Sequence, residues 1–204
     1  MKHVLIATSN PGKLRDFAAA AARYGVEVRA IANFSSLPAV VENGATFEAN
    51  ARKKAEAYSR HVPGEIVIAD DSGLEVDALG GAPGVHSARY AADEPHQSES
   101  NTDDELNNRK LIREIKLLGP GDRQARFVCV IAAARSEETL AVFEGKAEGV
   151  ILERPRGFNG FGYDSLFYFP QIAKTFAELS AEDKAQNSHR GAAFRKFLEW
   201  HRAI

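Results

Sequence analysis

The chain has 204 residues, of which 44% are hydrophobic and 26% are charged, values typical of one globular domain with a core of ordinary size. Its formal net charge of −2 gives no broad positive field, which disfavours binding to duplex nucleic acid. The single cysteine, Cys129, excludes an internal disulfide framework, and the first apolar run is too short for a signal sequence or a membrane span. We therefore expect a cytoplasmic protein that binds neither nucleic acid nor membrane. Cys129 lies in an apolar stretch, which favours buried packing over the alternative of a reactive nucleophile.

The N-terminal part of the chain alternates strands and helices. Residues 3–8 predict a buried strand, residues 13–24 a helix that ends before Gly25, and residues 26–31 a short second strand. Residues 32–45 have the composition of a loop. This order of elements favours an α/β fold.

A second helix is predicted to begin after Thr46, whose hydroxyl suits an N-cap. Its apolar residues recur at helical spacing, which predicts one buried face. They are Phe47, Ala51, Ala55, Tyr58 and Val62.

The C-terminal part adds a long loop and a hairpin. Residues 78–101 are rich in Gly, Ala, Pro, Ser and acidic residues and predict a loop region, after which Asp103 or Asp104 opens a helix that runs to Gly119. Two long strands flank the turn at residues 136–139 and predict a hairpin. Since a hairpin accompanies β-α-β units, we expect a mixed sheet.

Four stretches carry residue types suited to chemistry, and the first is T-S-N-P-G-K at residues 8–13. A helix N-terminus, a glycine and Lys13 are the parts of an anion site. The rest of a Walker A loop is missing from this stretch. An ordinary strand-to-helix turn is the alternative, and the stretch taken alone favours that turn.

The second stretch is A-D-D-S-G at residues 69–73, directly after the apolar run of a predicted strand at residues 65–69. Asp70 and Asp71 repel each other, so the pair needs an explanation. A solvated turn that ends the strand is one interpretation. A Mg²⁺ site is the other, because carboxylates at the carboxyl end of a strand are placed for ligands, and Mg²⁺ takes one or two carboxylates plus substrate phosphates.

The third stretch is G-F-N-G-F-G-Y-D at residues 157–164. Its glycines and the rings of Phe158, Phe161 and Tyr163 suit a loop that closes on a flat ligand, since stacking of a ring on a base contributes about 1–3 kcal/mol. A glycine-rich hairpin whose rings fill the core is the alternative.

The fourth stretch places Lys184, His189 and Arg190 beside the closing helix. The helix dipole disfavours cations at a helix N-terminus, so an anion or an electron-rich carbonyl would stabilise them there. A solvated charged face is the alternative, for these residues and for Lys54. Together the four stretches supply what a nucleoside triphosphate requires: a phosphate site, carboxylates for Mg²⁺, a stacking loop and donors for a base.

Residues 69–90, A-D-D-S-G-L-E-V-D-A-L-G-G-A-P-G-V-H-S-A-R-Y, closely resemble the signature of the inosine/xanthosine triphosphate pyrophosphatase family. T-S-N-P-G-K, F-G-Y-D and S-H-R follow the order and approximate spacing of that family, so the resemblance covers essentially the whole chain. It implies an elongated mixed β-sheet flanked by helices, one domain over residues 1–204 with two lobes around a central substrate cleft, and a homodimer. It also implies Mg²⁺-dependent hydrolysis of ITP, dITP or XTP to the monophosphate and pyrophosphate.

The resemblance further assigns roles to residues of this chain. It implies that Asp71 is the proton acceptor and a metal ligand, and that Glu42 is a second metal ligand. It implies contacts with the substrate from Thr8, Ser9, Asn10, Pro11, Gly12, Lys13, Lys54, Ser72, Phe161, Gly162, Tyr163, Asp164, Lys184, His189 and Arg190.

Hydrogen-bond polarity predicts which base is accepted. Hypoxanthine and xanthine carry a 6-oxo acceptor where adenine carries a 6-amino donor, so a donor such as Arg190 would discriminate against ATP. GTP shares the 6-oxo group, and the sequence names no residue that excludes it. Two alternatives stay open: a related pyrophosphatase for pyrimidine or modified-base triphosphates, and a nucleotide-binding sensor without turnover.

Overall fold

The computed structural model describes residues 3–94, 102–119 and 121–203. Within these ranges the chain forms seven strands and five α-helices. They are β1 (His3–Ile6), α1 (Pro11–Ala22), β2 (Glu27–Ala30), α2 (Phe47–Ser59), β3 (Val67–Val76), α3 (Asp103–Leu117), β4 (Gln124–Arg135), β5 (Glu138–Ile151), β6 (Phe167–Phe169), β7 (Lys174–Thr175), α4 (Ala181–Asn187) and α5 (His189–Ala203). None of the described helices is both long enough and apolar enough to cross a membrane.

The strands are hydrogen-bonded into one sheet in the order β2-β1-β3-β4-β5-β6-β7. β1 pairs in parallel with β2 and with β3, whereas β6 pairs antiparallel with β5 and with β7. The sheet is therefore mixed, and the predicted α/β class is confirmed.

The predicted hairpin is formed by β4 and β5. Ser136 and Glu137 link the two strands, with φ of 50° and 64°. Positive φ at both central residues is the geometry of a tight two-residue turn whose twist matches that of its strands. The predicted hairpin is confirmed, and its turn is shorter than predicted, because Glu138 and Thr139 belong to β5.

The helix predicted after Thr46 is confirmed at its start and is shorter than predicted at its end. The Thr46 side chain accepts a hydrogen bond from the backbone N–H of Ala49, which caps α2. The prediction that Val62 continues the helix is wrong, because α2 ends at Ser59. Pro63 disfavours a helical backbone at the residue before it, which accounts for the earlier end.

The region predicted as a long loop, residues 78–101, contains only short 3-10 helices where it is described. One of these begins just before it (Asp77–Leu79), and the other spans Gly84–Arg89. Residues 95–101 of the predicted loop lie outside the described residues. The following helix, α3, begins at Asp103 as predicted.

The strand β3 does not end at the aspartate pair, so the interpretation of residues 69–73 as a turn is wrong. β3 runs through Asp70 and Asp71 to Val76, and its pairing with β1 stops at Ile68. Leu74 and Val76 are fully buried beyond the pair, which explains why the strand continues. The charge of the two aspartates is compensated by side chains distant in sequence, described below.

The chain forms two compact units. The first comprises Met1–Ser72, Cys129–Lys146 and Ala181–Ile204, and the second comprises Gly73–Val128 and Ala147–Ser180. Each unit has its own hydrophobic core.

The core of the first unit is built around helices α1 and α5. The rings of Phe17 and Phe194 meet edge to face, with centroids 5.3 Å apart, and Phe197 stacks on Phe194. Cys129 is fully buried in the same core, and burial raises the pKa of its thiol. Buried packing, the favoured interpretation of this cysteine, is confirmed.

The core of the second unit contains several rings from β4, β6 and the segment that follows them. Phe127, Phe167 and Phe176 pack against one another, and Tyr163 and Leu166 belong to the same cluster. The end of the glycine-rich loop is therefore anchored in this core.

Candidate active site

The stretch from Thr8 to Lys13 leaves β1 and opens α1. Asn10 is the N-cap of α1, and its Oδ1 accepts hydrogen bonds from the backbone N–H groups of Gly12 (2.8 Å) and Lys13 (3.1 Å). The backbone N–H of Asn10 donates to Thr8 Oγ1 at 3.1 Å, and Pro11 has no N–H. The main-chain donors on which the anion-site interpretation relied thus have partners in the protein. The charged side chain of this stretch is that of Lys13. The exposed residues here are Ser9, Asn10 and Pro11.

Asp70 is a fully buried carboxylate held by two cations. Lys13 Nζ lies 2.9 Å from Asp70 Oδ2, Arg190 Nε lies 3.7 Å from the same oxygen, and Ser72 Oγ donates to it at 3.1 Å. Burial alone would raise the pKa of Asp70, but the charges of Lys13 and Arg190 outweigh it and lower the pKa from 3.8 to about 2. Asp70 is therefore ionised and acts as the counter-ion of these cations.

Asp71 has a different environment on the same strand. Asn50 Nδ2 donates to Asp71 Oδ2 at 2.9 Å, while Lys54 Nζ lies 3.5 Å from Asp71 Oδ1. Burial raises the pKa of Asp71 above its usual 3.8, and Lys54 and Asn50 offset only part of the rise. The pKa values of the two neighbouring aspartates are thus shifted in opposite directions. Asp71 is the more basic of the two, which is the property that a proton acceptor needs.

Lys54, on α2, connects the two carboxylates that were predicted to hold a metal. Its Nζ lies 2.5 Å from Glu42 Oε2 and 3.5 Å from Asp71 Oδ1. Burial lowers the pKa of Lys54, but the negative charges of Asp71, Asp70 and Glu42 outweigh this effect and raise it, so the ammonium stays charged.

The donor set around Lys54 fits a hard divalent cation. Glu42 and Asp71 come from different parts of the chain and converge on one positive group. In the part of the chain that the structure describes, no group of three or more His, Cys, Asp or Glu is arranged to hold a metal ion. Two carboxylates suffice for Mg²⁺ where substrate phosphates supply further ligands.

Asp16, one turn after Lys13 on α1, pairs with two buried cations. Its Oδ2 accepts from Arg190 Nη1 at 2.6 Å and lies 3.2 Å from Lys184 Nζ. Arg190 Nη2 donates to Ser72 Oγ at 2.8 Å, which links α5 to β3. The two cations predicted to face the nucleoside are thus held at fixed positions by α1 and β3.

His189 is the first residue of α5 and is only 2% exposed. Burial lowers the pKa of its imidazole well below 6.5, and the positive charges of Arg190, Lys184 and Lys13 lower it further. The ring is therefore neutral at pH 7. His189 and Arg190 do begin a helix, as predicted, although the closing region consists of two helices, α4 and α5, where one was predicted.

The ionised side chains of this cluster, all in the first unit, balance one another. Four cations face four carboxylates through the contacts given above. They are Lys13, Lys54, Lys184 and Arg190 on one side and Asp16, Glu42, Asp70 and Asp71 on the other. The cluster is therefore locally neutral as well as densely charged.

In the second unit, the side chain of Asp164 holds the start of the loop Phe161–Asp164. The N–H of Phe161 donates to Asp164 Oδ2 at 2.9 Å. Gly160 has a φ of +80°, and a Cβ at this position would lie 2.0 Å from the same carboxylate oxygen. Only glycine fits there, which explains part of the glycine content of this loop.

The three rings of this loop have different environments. Tyr163 is buried, and its hydroxyl donates to the backbone oxygen of Ser87 at 2.8 Å. Phe161 is partly exposed, and Phe158 is fully exposed. The core-filling interpretation is therefore correct for Tyr163, whereas Phe161 keeps a surface that a flat ligand can reach.

Sequence reasoning missed two residues of the charged cluster, Asn50 and Asp16. Asn50 is 1% exposed, and its Oδ1 accepts from the backbone N–H of Gly44 while its Nδ2 holds Asp71. The available signal was spacing: Asn50 lies four residues before Lys54, and Asp16 lies three residues after Lys13, so each shares a helix face with a predicted site residue.

Comparison with known proteins identifies the family of this chain. The family model described as the Ham1 family matches residues 4–200. A dITP/XTP pyrophosphatase of Geobacillus kaustophilus is 50% identical over 199 residues, which are 98% of this chain and 94% of the relative. A protein of the same name from Acidobacterium capsulatum is 48% identical over 95% of both chains.

Solved structures give the same result. The Staphylococcus aureus Ham1 protein superposes with a TM-score of 0.79 at 42% identity and covers 99% of both chains. A HAM1 protein from Coxiella burnetii gives a TM-score of 0.83 at 35% identity over 100% of both chains. The chain belongs to the Ham1 family, and the family resemblance found in its motifs is confirmed.

Proposed function

We propose that this protein hydrolyses deaminated purine nucleoside triphosphates, with ITP, dITP and XTP as substrates, to the monophosphate and pyrophosphate. Relatives at 45–50% identity are named dITP/XTP pyrophosphatases, which supports a nucleoside triphosphate pyrophosphatase. The observation that carries the proposal is Asp71, a buried carboxylate with a raised pKa among cations suited to phosphate.

Asp71 is suited to accept the proton of the attacking water. Asn50 donates to Oδ2 of Asp71, and we assign Oδ1, which lies 3.5 Å from Lys54 Nζ, as the acceptor. Water attacks the α-phosphorus, the bond to the bridging oxygen breaks, and pyrophosphate leaves with the electron pair of that bond. Lys13 and Lys54 are the cations that compensate the charge of the departing phosphates. General-base catalysis of this kind contributes about 10²–10⁴-fold to a rate.

The balanced charge of the cluster supports a requirement for a divalent cation. A triphosphate brings about four negative charges, and the four cations of the site are already matched by four carboxylates. Glu42 and Asp71 are the residues that would hold Mg²⁺ when it arrives with the substrate. A bound ion would supply positive charge to the phosphates and lower the pKa of the attacking water.

The nucleoside contacts in this proposal are those carried over from the family. The residues carried over are Lys184, His189 and Arg190, together with Phe161, Gly162, Tyr163 and Asp164. The neutral imidazole of His189 can donate or accept a hydrogen bond, and the guanidinium of Arg190 is a donor only. A 6-oxo purine offers the acceptor that such donors need, whereas adenine does not.

The proposal is tested by pyrophosphate release from ITP, XTP, GTP, ATP and dTTP, each measured with Mg²⁺ and with EDTA. We expect fast release from ITP and XTP that EDTA abolishes, and much slower release from the other three. Fast release from dTTP would favour the pyrimidine alternative. Binding of ITP without release of pyrophosphate would favour the sensor and would refute the proposed reaction.

A further inference from the structure

The helix α3 holds the middle of the loop Phe161–Asp164 through two side chains. Asp104 Oδ2 accepts a hydrogen bond from the backbone N–H of Gly162 at 2.7 Å. Asn108 Nδ2 donates to the backbone oxygen of the same glycine at 3.0 Å. Asp104 and Asn108 are four residues apart on α3 and so share one face of the helix. We call this pair the loop clamp.

The two clamp residues have opposite hydrogen-bonding roles. Asp104 can serve the N–H of Gly162 only as an acceptor, and Asn108 can serve its carbonyl only through the amide nitrogen. The other atom of the Asn108 amide, Oδ1, is buried and has no hydrogen-bond partner in the described part of the chain. A buried acceptor without a partner is costly, so an amide at this position is hard to explain by packing alone.

The clamp fixes the backbone on both sides of Gly162. This glycine has a φ of +59°, a backbone conformation that glycine adopts readily, and the two clamp bonds hold its N–H and its carbonyl. On one side Phe161 is tied to Asp164, and on the other Tyr163 is anchored to Ser87. With Gly162 clamped, Phe161 has little freedom to change its position.

We propose that Asp104 and Asn108 are positioning residues that preorganise the loop Phe161–Asp164 for the nucleoside part of the substrate. This inference rests on the proposed function, in which that loop contacts the nucleoside. A loop ordered before binding loses less conformational entropy on binding, so the clamp strengthens binding of the nucleoside. Because neither residue belongs to the cluster around Asp71, the clamp affects KM and leaves kcat nearly unchanged.

The test uses substitutions that separate hydrogen bonding from charge. Asp104→Ala and Asn108→Ala each remove one clamp bond. Asp104→Asn removes the charge but keeps an acceptor oxygen, whereas Asn108→Asp adds a charge and removes the donor. Asp103→Ala is the matched control, because Asp103 is exposed on the same turn of α3.

For each variant, KM and kcat are measured with ITP, and the inhibition constants of IMP and of inorganic pyrophosphate are measured in parallel. We expect KM for ITP and the inhibition constant of IMP to rise about tenfold in Asp104→Ala, Asn108→Ala and Asn108→Asp. The inhibition constant of pyrophosphate and kcat should stay within about twofold of wild type, since neither depends on the loop. Asp104→Asn should lie within about threefold of wild type, and Asp103→Ala should equal it.

Two results would overturn the clamp. One is an unchanged KM for ITP in both Asn108→Asp and Asn108→Ala. The other is an inhibition constant of pyrophosphate that rises as much as the inhibition constant of IMP, because equal rises would indicate a general loss of structure. If Asp104→Ala fails to fold, the KM values of the Asn108 variants and of Asp104→Asn still test whether the loop clamp strengthens binding of the nucleoside. A wild-type protein that releases no pyrophosphate from ITP would refute the proposed function itself, whereas an active wild type with unaffected variants refutes only the clamp.

Discussion

Replacement of His189 tests the electrostatic description of the charged cluster without any assay of activity. The imidazole is buried next to Arg190 and Lys184, and its pKa in the folded protein lies well below 6.5. In the unfolded chain the same side chain binds a proton with a pKa of about 6.5. Acid therefore favours the unfolded chain: the contribution of His189 to stability is complete above pH 6.5 and is lost as the pH falls below that value.

The size of this effect follows from proton linkage. A single group that is protonated only in the unfolded chain changes the free energy of unfolding by up to about 1.4 kcal/mol per pH unit. Between pH 6.5 and 5.5, where the unfolded histidine is between half and fully protonated, the integrated loss is about 1 kcal/mol. A difference of this size exceeds the error with which two urea denaturation curves can be compared.

The assay is urea denaturation of wild type and of His189→Gln at pH 6.5 and 5.5. Glutamine keeps polar atoms at this position but does not titrate, so the variant should lose about 1 kcal/mol less than wild type over this interval. The other histidines are common to both proteins and cancel in the comparison. His189→Asn serves as a second neutral replacement. Equal losses in wild type and both variants would refute the description of His189 as a buried, neutral ring.

Three further predictions concern other residues of the first unit. Asp16→Asn removes the carboxylate that Lys184 and Arg190 share and should lower the free energy of unfolding by about 3 kcal/mol in urea titrations. A loss below about 0.5 kcal/mol, typical of an exposed pair, would contradict this. Lys54→Met removes the ammonium between the carboxylates of Glu42 and Asp71, so Mg²⁺ should bind the nucleotide-free protein more tightly, as measured by calorimetry. The same variant should lower kcat/KM for ITP by about 100-fold. Weaker Mg²⁺ binding would contradict the assignment of Glu42 and Asp71 as the metal ligands. Cys129 should react with a thiol reagent only as fast as the protein unfolds, since burial raises its pKa; a fast reaction in the native protein would contradict its buried position.

Much of the fold was predictable because local patterns determine it. The strand and helix order, the N-cap at Thr46, the hairpin of β4 and β5 and the start of α5 at His189 all follow from short-range spacing and turn chemistry. The end of α2 was mispredicted because an apolar residue at the right spacing, Val62, precedes a proline.

The aspartate pair shows why the rest was not predictable. A turn was one of the two interpretations of Asp70 and Asp71, yet the strand continues through both. Lys13, which contacts Asp70, lies 57 residues from it in the sequence. Arg190 donates a hydrogen bond to Ser72, which follows the two aspartates on β3, and lies 118 residues from it. Such pairing depends on the tertiary fold and is not visible in local spacing.

Pyrophosphate release from ITP by wild type and by Asp71→Asn, in Mg²⁺ at neutral pH, tests the proposed role of Asp71 most directly. Asparagine keeps the shape of the side chain and its bond to Asn50 but cannot accept the proton of the attacking water. The account predicts that kcat falls by about 10²–10⁴-fold while the variant still binds IMP and unfolds at a urea concentration close to that of wild type. A folded Asp71→Asn protein with near-normal turnover would contradict it.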